Sequence, residues 1–125
     1  MILDTSALSA LADGDVGLER SLRSTVQLAI PVIVLGEYRY GISQSRYRKQ
    51  YEQWLSECLQ KFRVLEVDEQ TSAFYSAIRA ELKKSGRPIP ANDVWIAGLC
   101  RQHSLPLLSR DAHFDYVKGI RRVEW

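Results

Sequence analysis

Short apolar runs set between longer segments of helical period constrain this chain more than any other feature. Met1 to Leu3, Gln27 to Ile30, Arg63 to Val67 and Leu105 to Leu108 read as strands, and Arg121 to Glu124 as a last one. Between the first two, Ser6 to Ala12 sets Ala7, Leu8 and Leu11 on one side, and Asp15 caps a helix from Val16 to about Arg23. Pro31 suits the first turn of a helix running to about Ile42. Gln44 to Phe62 carries the clearest period, with Tyr47, Tyr51, Trp54, Leu55, Cys58 and Phe62 on one stripe. Asp68 caps a helix holding Phe74, Ala77, Ile78 and Leu82, which Gly86 ends. Asp93 to His103 is apolar nearly all round, as a buried helix is, and Asp111 to Tyr116 is a turn or short helix. A parallel strand pair needs a long crossover, so short apolar strands alternating with helices predict an α/β domain. Its sheet should be mainly parallel, with four to five strands. With 125 residues and no repeat or linker, one domain over residues 1–125 is expected.

In such a sheet, ligands bind outside the carboxyl ends of the strands. Asp4 follows the first strand directly, and Asp111 comes three residues after Leu108. Asp93 opens the buried helix that feeds the Leu105 strand, so it shares that edge. Glu37 lies four past Ile33, three past Val34 and three before Tyr40, on the apolar stripe of its helix. A carboxylate buried there needs a basic partner, such as Arg39 or Arg79, or a metal. Taken singly, Asp4, Asp93 and Asp111 could each be only a helix cap. Together they repel: two carboxylates about 5 Å apart cost roughly 3 kcal/mol at an effective dielectric of 20. A bound cation removes that cost, and all-oxygen ligands favour Mg²⁺ or Mn²⁺ over zinc. Thr5, Ser6, Asn92 and Ser109 stand beside these acids and can orient a carboxylate. His103 and His113 have no metal-ligand spacing to an acid and read as surface or supporting residues.

The chain carries 17 Lys+Arg against 15 Asp+Glu, a net charge of +2 that is too mild to announce a nucleic-acid binder. Setting aside Asp4, Glu37, Asp93 and Asp111 leaves 17 against 11, or +6, and arginine outnumbers lysine twelve to five. An acidic metal pocket in an arginine-rich surround suits a phosphodiester. Arg39, Arg87, Arg110, Lys118, Arg121 and Arg122 are the candidates for a phosphate track. Cys58 and Cys100 lack any C-x-x-C spacing and fall in apolar helical segments, so they read as free thiols in a reducing compartment. The longest strongly apolar run, Ala29 to Leu35, falls far short of the about twenty residues of a membrane helix. The opening residues show no secretion-signal pattern, and the cytoplasm is the expected location.

These segments resemble the PIN domain family, and within it the VapC-type ribonuclease toxins of bacterial and archaeal toxin–antitoxin pairs. Met1-Ile2-Leu3-Asp4-Thr5-Ser6 is similar to the family's start, with its first acid after the first strand. Pro31 to Gly41, around Glu37, resembles the segment carrying the second acid. Pro88 to Ala97, around Asp93, resembles the third, and Leu107 to Asp115, around Asp111, the fourth. Gly119 to Trp125 is similar to the usual tail, so the resemblance spans essentially the whole chain. It implies a single PIN-like α/β/α sandwich and a Mg²⁺- or Mn²⁺-dependent endoribonuclease acting as a toxin. Asp4, Glu37, Asp93 and Asp111 match the catalytic, metal-binding quartet that holds one or two ions. Asp115 matches a position where a further acid is common but not required. The resemblance also implies an RNA substrate, a small antitoxin that blocks the site, and a homodimer. No histidine is positioned for a route through the ribose 2′-hydroxyl, so hydrolysis leaving 5′-phosphate and 3′-hydroxyl ends is expected.

Two other readings stay open. A receiver-like, phospho-accepting signalling domain has a similar size and an acidic Mg²⁺ pocket. It needs paired acids after the first strand, where Asp4 is followed by Thr5, and Asp68 is better explained as a cap. A non-catalytic binding module with the PIN fold is opposed by the intact quartet.

Overall fold

A computed structural model of the chain describes residues 1–25 and 27–125. The elements run β1 (Ile2–Leu3), α1 (Thr5–Ala12), α2 (Val16–Leu22), β2 (Ala29–Pro31), α3 (Val32–Ser43) and α4 (Arg48–Leu59). They continue with β3 (Arg63–Leu65), α5 (Glu69–Lys84), α6 (Ala91–His103), β4 (Leu107–Leu108), a 3₁₀ helix (Ala112–Tyr116) and β5 (Arg122–Val123). All strands are parallel, in the order β3-β2-β1-β4-β5. Ile2 pairs with Ala29 on one side and Leu107 on the other, so β1 is central and its residues are fully buried.

Right-handed crossovers then fix the layers. The chain steps from β1 to β2 to β3 in one direction, then jumps back across the sheet to β4 and on to β5. Reversing direction puts α5 and α6 on the face opposite α1 to α4, which gives the expected α/β/α sandwich. The packing agrees: α5 pairs with α6, while α1 packs on α2, α3 and α4. The reversal also opens a crevice beyond the carboxyl ends of β1 and β4. Asp4 and Ser109 are the residues that directly follow those two strands.

The short strands hold because their side chains reach the core: Ile2, Leu3, Ile30, Leu107 and Leu108 are fully buried. Asp15 caps α2 through the Leu18 amide, and Asp68 caps α5 in a capping box with Thr71, both as the sequence predicts. Several boundaries differ from expectation. The second strand is Ala29–Pro31 rather than Gln27 to Ile30, and Pro31, with φ −60°, ends it and caps α3 without a side-chain bond. A turn at Ser45 to Tyr47 separates α3 from α4, so Tyr47 falls outside the helix and is exposed. On α4 only Leu55 is fully buried, with Tyr51, Trp54 and Cys58 packed partway. Helix α6 starts at Ala91, two residues before the predicted Asp93. Among the described residues no helix is long and apolar enough to cross a membrane.

Candidate metal centre at the carboxyl edge of the sheet

Each acid arrives on a different element. Asp4 leaves β1 in extended conformation and caps α1, accepting the Ala7 amide at 2.8 Å. Its other oxygen accepts the Ser109 hydroxyl, which itself accepts the Asp111 amide at 3.0 Å. Ser109 therefore ties the end of β4 to the end of β1. Asp111 caps the 3₁₀ helix, accepting the His113 amide at 3.2 Å. Asp93 is not a cap. It lies in the first turn of α6, whose cap is Pro90, where the free amide ends of the helix favour an anion. Glu37 projects from α3.

The sequence places Glu37 on an apolar stripe, and the structure corrects this. The buried face of α3 is Val34, Leu35, Tyr38 and Ile42, whereas Glu37 and Tyr40 are exposed. Glu37 flanks the core rather than entering it. Even so, partial shielding of its carboxyl raises its pKa, the charges of Asp93 and Asp4 add to the rise, and the Thr5 hydroxyl opposes it. At Asp4 burial is the main cause of a raised pKa. The bonds from Ser109 and Ala7 pull it down, and the charges of Asp93 and Asp111 push it up again. These couplings link all four acids in one field. Among the described residues no lysine or arginine forms a salt bridge to any of them.

The sequence reads His113 as a surface or supporting residue and expects no histidine at the site, and the structure corrects this by placing it among the acids. Its Nε2 lies 2.9 Å from Asp93 Oδ2 and 2.8 Å from Asp111 Oδ2. One ligand atom each from Asp93, Asp111 and His113 falls within 4.8 Å of the others. Two carboxylate oxygens and one imidazole nitrogen thus lie close enough to share one ion, so the residues fit a metal ion. Spacing alone could not show this, because the contact to Asp93 spans twenty residues and the one to Asp111 depends on a 3₁₀ turn.

The remaining candidates divide. Thr5 and Ser109 stand against the acids. Ser6 and Asn92 are exposed and make no hydrogen bond to the acids among the described residues. Asp115 is bound on both oxygens by Arg122, at 2.9 and 2.8 Å, and that pairing holds its pKa below the carboxylate range. Arg122 is also committed to the Ser109 carbonyl at 3.1 Å and its side chain is only 12% exposed, so it is a structural tie rather than part of a phosphate track. Arg110 lies over the Trp125 ring and donates to the Trp125 carbonyl at 3.0 Å. Arg39, Arg87, Lys118 and Arg121 stay exposed.

Residues 1–120 match the family model of the PIN domain, and the chain belongs to that family. Within it, the chain is similar to Ribonuclease VapC5 of Mycobacterium tuberculosis, with 30% identity over 125 residues that cover 98% of this chain and 91% of that one. The fold is shared with VapBC2 from Rickettsia felis bound to a DNA fragment from their promoter, at TM-score 0.90 and 23% identity over 99% of this chain and 97% of that one. DNA-bound VapBC from Salmonella typhimurium aligns at TM-score 0.87 and 25% identity, covering 99% and 96%. The chain therefore sits with the VapC ribonucleases. The receiver-like reading falls with this result, and Asp68 is held as a cap by Thr71 and Gln102.

Proposed function

We propose that residues 1–125 form a single PIN domain that cleaves RNA internally, as the toxin of a toxin–antitoxin pair in the cytoplasm. The observation that carries this reading is the cluster of Asp93, Asp111 and His113 at the switch-point crevice, with Asp4 and Glu37 electrostatically coupled to it and no lysine or arginine salt bridge to any of the four acids among the described residues. In this reading the four acids, with His113 beside them, hold one or two divalent ions, Mg²⁺ or Mn²⁺. A divalent ion so placed supplies Lewis-acid stabilisation of a phosphodiester and a water acidic enough to attack at neutral pH. The chain's own part is to fix that ion. Ser109 locks Asp4 and Asp111 together, and the first turn of α6 sets Asp93 beside His113 and Asp111. Asp115, tied to Arg122, is outside this set.

The partner follows from the same chemistry and from relatives that are VapBC complexes. A pocket of four acids is a natural receptor for one arginine or lysine, which pairs with the carboxylates in place of metal. A small antitoxin presenting such a side chain switches the enzyme off. Purified protein should cleave RNA with Mg²⁺ or Mn²⁺, leave 5′-phosphate and 3′-hydroxyl ends, and stop in EDTA. Full activity in EDTA, or products ending in 2′,3′-cyclic phosphate, would sink the metal reading.

A further inference from the structure

The segments that carry two of the site acids continue into a second feature. The loop before α6 contains Arg87, and the 3₁₀ helix after Asp111 ends at Tyr116. Arg87 lies over the Tyr116 ring, 4.9 Å from its centroid, while Tyr116 remains 45% exposed. Together with Lys84 and Lys118 they line an open groove of about 770 Å³, within the size range of sites that take small ligands. At about 2 Å per residue of 3₁₀ helix, Tyr116 is roughly 10 Å along the chain from Asp111.

The groove's charge is one-sided. Its two acids are held from outside: Glu81 pairs with Arg101 at 3.1 Å, and Asp115 with Arg122 at 2.8 Å. Arg101 also donates to the Lys118 carbonyl at 2.5 Å, which fixes that wall. Lys84, Arg87 and Lys118 make no salt bridge among the described residues. Two lysines with no salt bridge among the described residues, flanking an exposed tyrosine whose ring already carries the Arg87 guanidinium, fit an unpaired nucleotide. Bases stack on tyrosine and arginine planes, and lysines take the flanking phosphates.

We infer that this groove binds an unstacked nucleotide of the RNA strand next to the cleavage site, with the base on Tyr116 and Arg87 and phosphates on Lys84 and Lys118. The inference rests on the ribonuclease reading. It is tested by the binding of a labelled single-stranded oligoribonucleotide, with Ca²⁺ replacing Mg²⁺ to suppress cleavage, beside a duplex of the same sequence. Tyr116→Ala should weaken single-strand binding about tenfold, because stacking on one side chain is worth that order per base. Tyr116→Phe should keep affinity within about twofold, since the ring face is what binds. Duplex binding should not distinguish the three proteins. Lys84→Ala with Lys118→Ala should flatten the slope of log Kd against log salt by about 1.4, at roughly 0.7 per phosphate. Unchanged single-strand affinity in Tyr116→Ala and an unchanged slope in the lysine pair overturn the inference and leave the groove to a protein partner. Loss of duplex and single-strand binding alike in Tyr116→Ala also overturns it, because stacking on an unpaired base cannot be the cause. Wild-type protein that binds RNA through this groove yet never cleaves it with Mg²⁺ or Mn²⁺ refutes the nuclease reading alone.

Discussion

Asp4 and Asp68 do the same local job in opposite surroundings. Each caps a helix, Asp4 through the Ala7 amide at 2.8 Å and Asp68 through the Thr71 amide at 3.0 Å. Each also takes a hydroxyl, from Ser109 and from Thr71. At Asp68 these bonds hold the carboxyl below its ordinary range. At Asp4 burial outweighs the same kinds of bond, and Asp93 and Asp111 push further in the same direction. The cause is position in the sheet. Strand β3, which leads to Asp68, is an edge, so its cap faces solvent, whereas β1 is central and its neighbour β4 leads into Ser109 and Asp111. A capping motif therefore says nothing against a functional role. Burial of the cap first, and the charges beside it second, separate the two.

The strongest way to break this comparison is to exchange carboxylate for amide. Asn caps a helix about as well as Asp, so Asp4→Asn keeps the start of α1 and removes one negative ligand. RNA cleavage by Asp4→Asn and by Asp93→Asn should fall at least about 100-fold, a loss of a few kcal/mol of metal-dependent stabilisation. Asp68→Ala should cleave at the wild-type rate while its Tm drops by about 4 °C, the ordinary cost of a lost cap. Wild-type cleavage by both amide variants would show that the edge acids are caps and nothing more.

Metal removal sharpens the same contrast without catalysis. A ligand bound only by the folded state at 100 times its Kd stabilises by about 2.7 kcal/mol, or roughly 10 °C for a chain this size. Adding Mn²⁺ to EDTA-treated wild type and Asp68→Ala should give such a rise, read by thermal melting. In Asp93→Asn the rise should shrink to about 1 °C or disappear. An equal Mn²⁺ response in Asp93→Asn would remove Asp93 from the ligand set.

Strand-then-acid at Leu3-Asp4 and Leu107-Leu108-Ser109-Arg110-Asp111 placed two acids on the carboxyl edge, because in a parallel sheet that edge is set by chain direction alone. Asp93 followed because the helix feeding β4 must begin there. Glu37 was assigned to the right edge for a wrong reason. Counting from Ile33 and Tyr40 gave a stripe through Glu37, but the buried face of α3 is Val34, Leu35, Tyr38 and Ile42, and periodicity does not say which apolar residues point inward. His113 was illegible because its partners are fixed by tertiary approach and a 3₁₀ turn. Arg122 read as a surface cation because nothing in the chain announces that β5 sets it beside Asp115 and the Ser109 carbonyl.

The pH response should make the two caps mirror images. A carboxyl with a raised pKa still holds protons in the folded protein at pH values where the unfolded chain has lost them, so stability falls as pH rises through that window. This acts at Asp4 in metal-free protein. Asp4→Asn in EDTA should melt higher than wild type near neutral pH, and the gain should vanish as pH falls to the ordinary carboxylate value. Asp68 has a lowered pKa, so its contribution is present above the ordinary value and lost as pH falls through the lowered one. Asp68→Asn should melt lower than wild type at neutral pH, with the deficit closing in acid. Deficits of the same sign in both variants would mean that the Ser109 and Ala7 bonds at Asp4 outweigh its burial and the neighbouring charges.

The smallest effect tests where the edge ends. Asp115 lies four residues past Asp111, and its carboxyl is engaged on both oxygens by Arg122. Its side chain is 55% exposed, and exposed pairs contribute little and are screened by salt. Asp115→Asn should therefore lower Tm by about 2 °C or less, a deficit that fades at high ionic strength. Arg122 keeps the Ser109 carbonyl, so the link from β5 to the Ser109–Asp4 bond survives. Cleavage and the Mn²⁺ melting response should stay within about twofold of wild type, because the amide still accepts from Arg122 and no ligand is lost. If the Mn²⁺ response of Asp115→Asn instead collapsed as in Asp93→Asn, Arg122 would have to release Asp115 when metal binds. The acidic edge would then extend one turn further along the 3₁₀ helix.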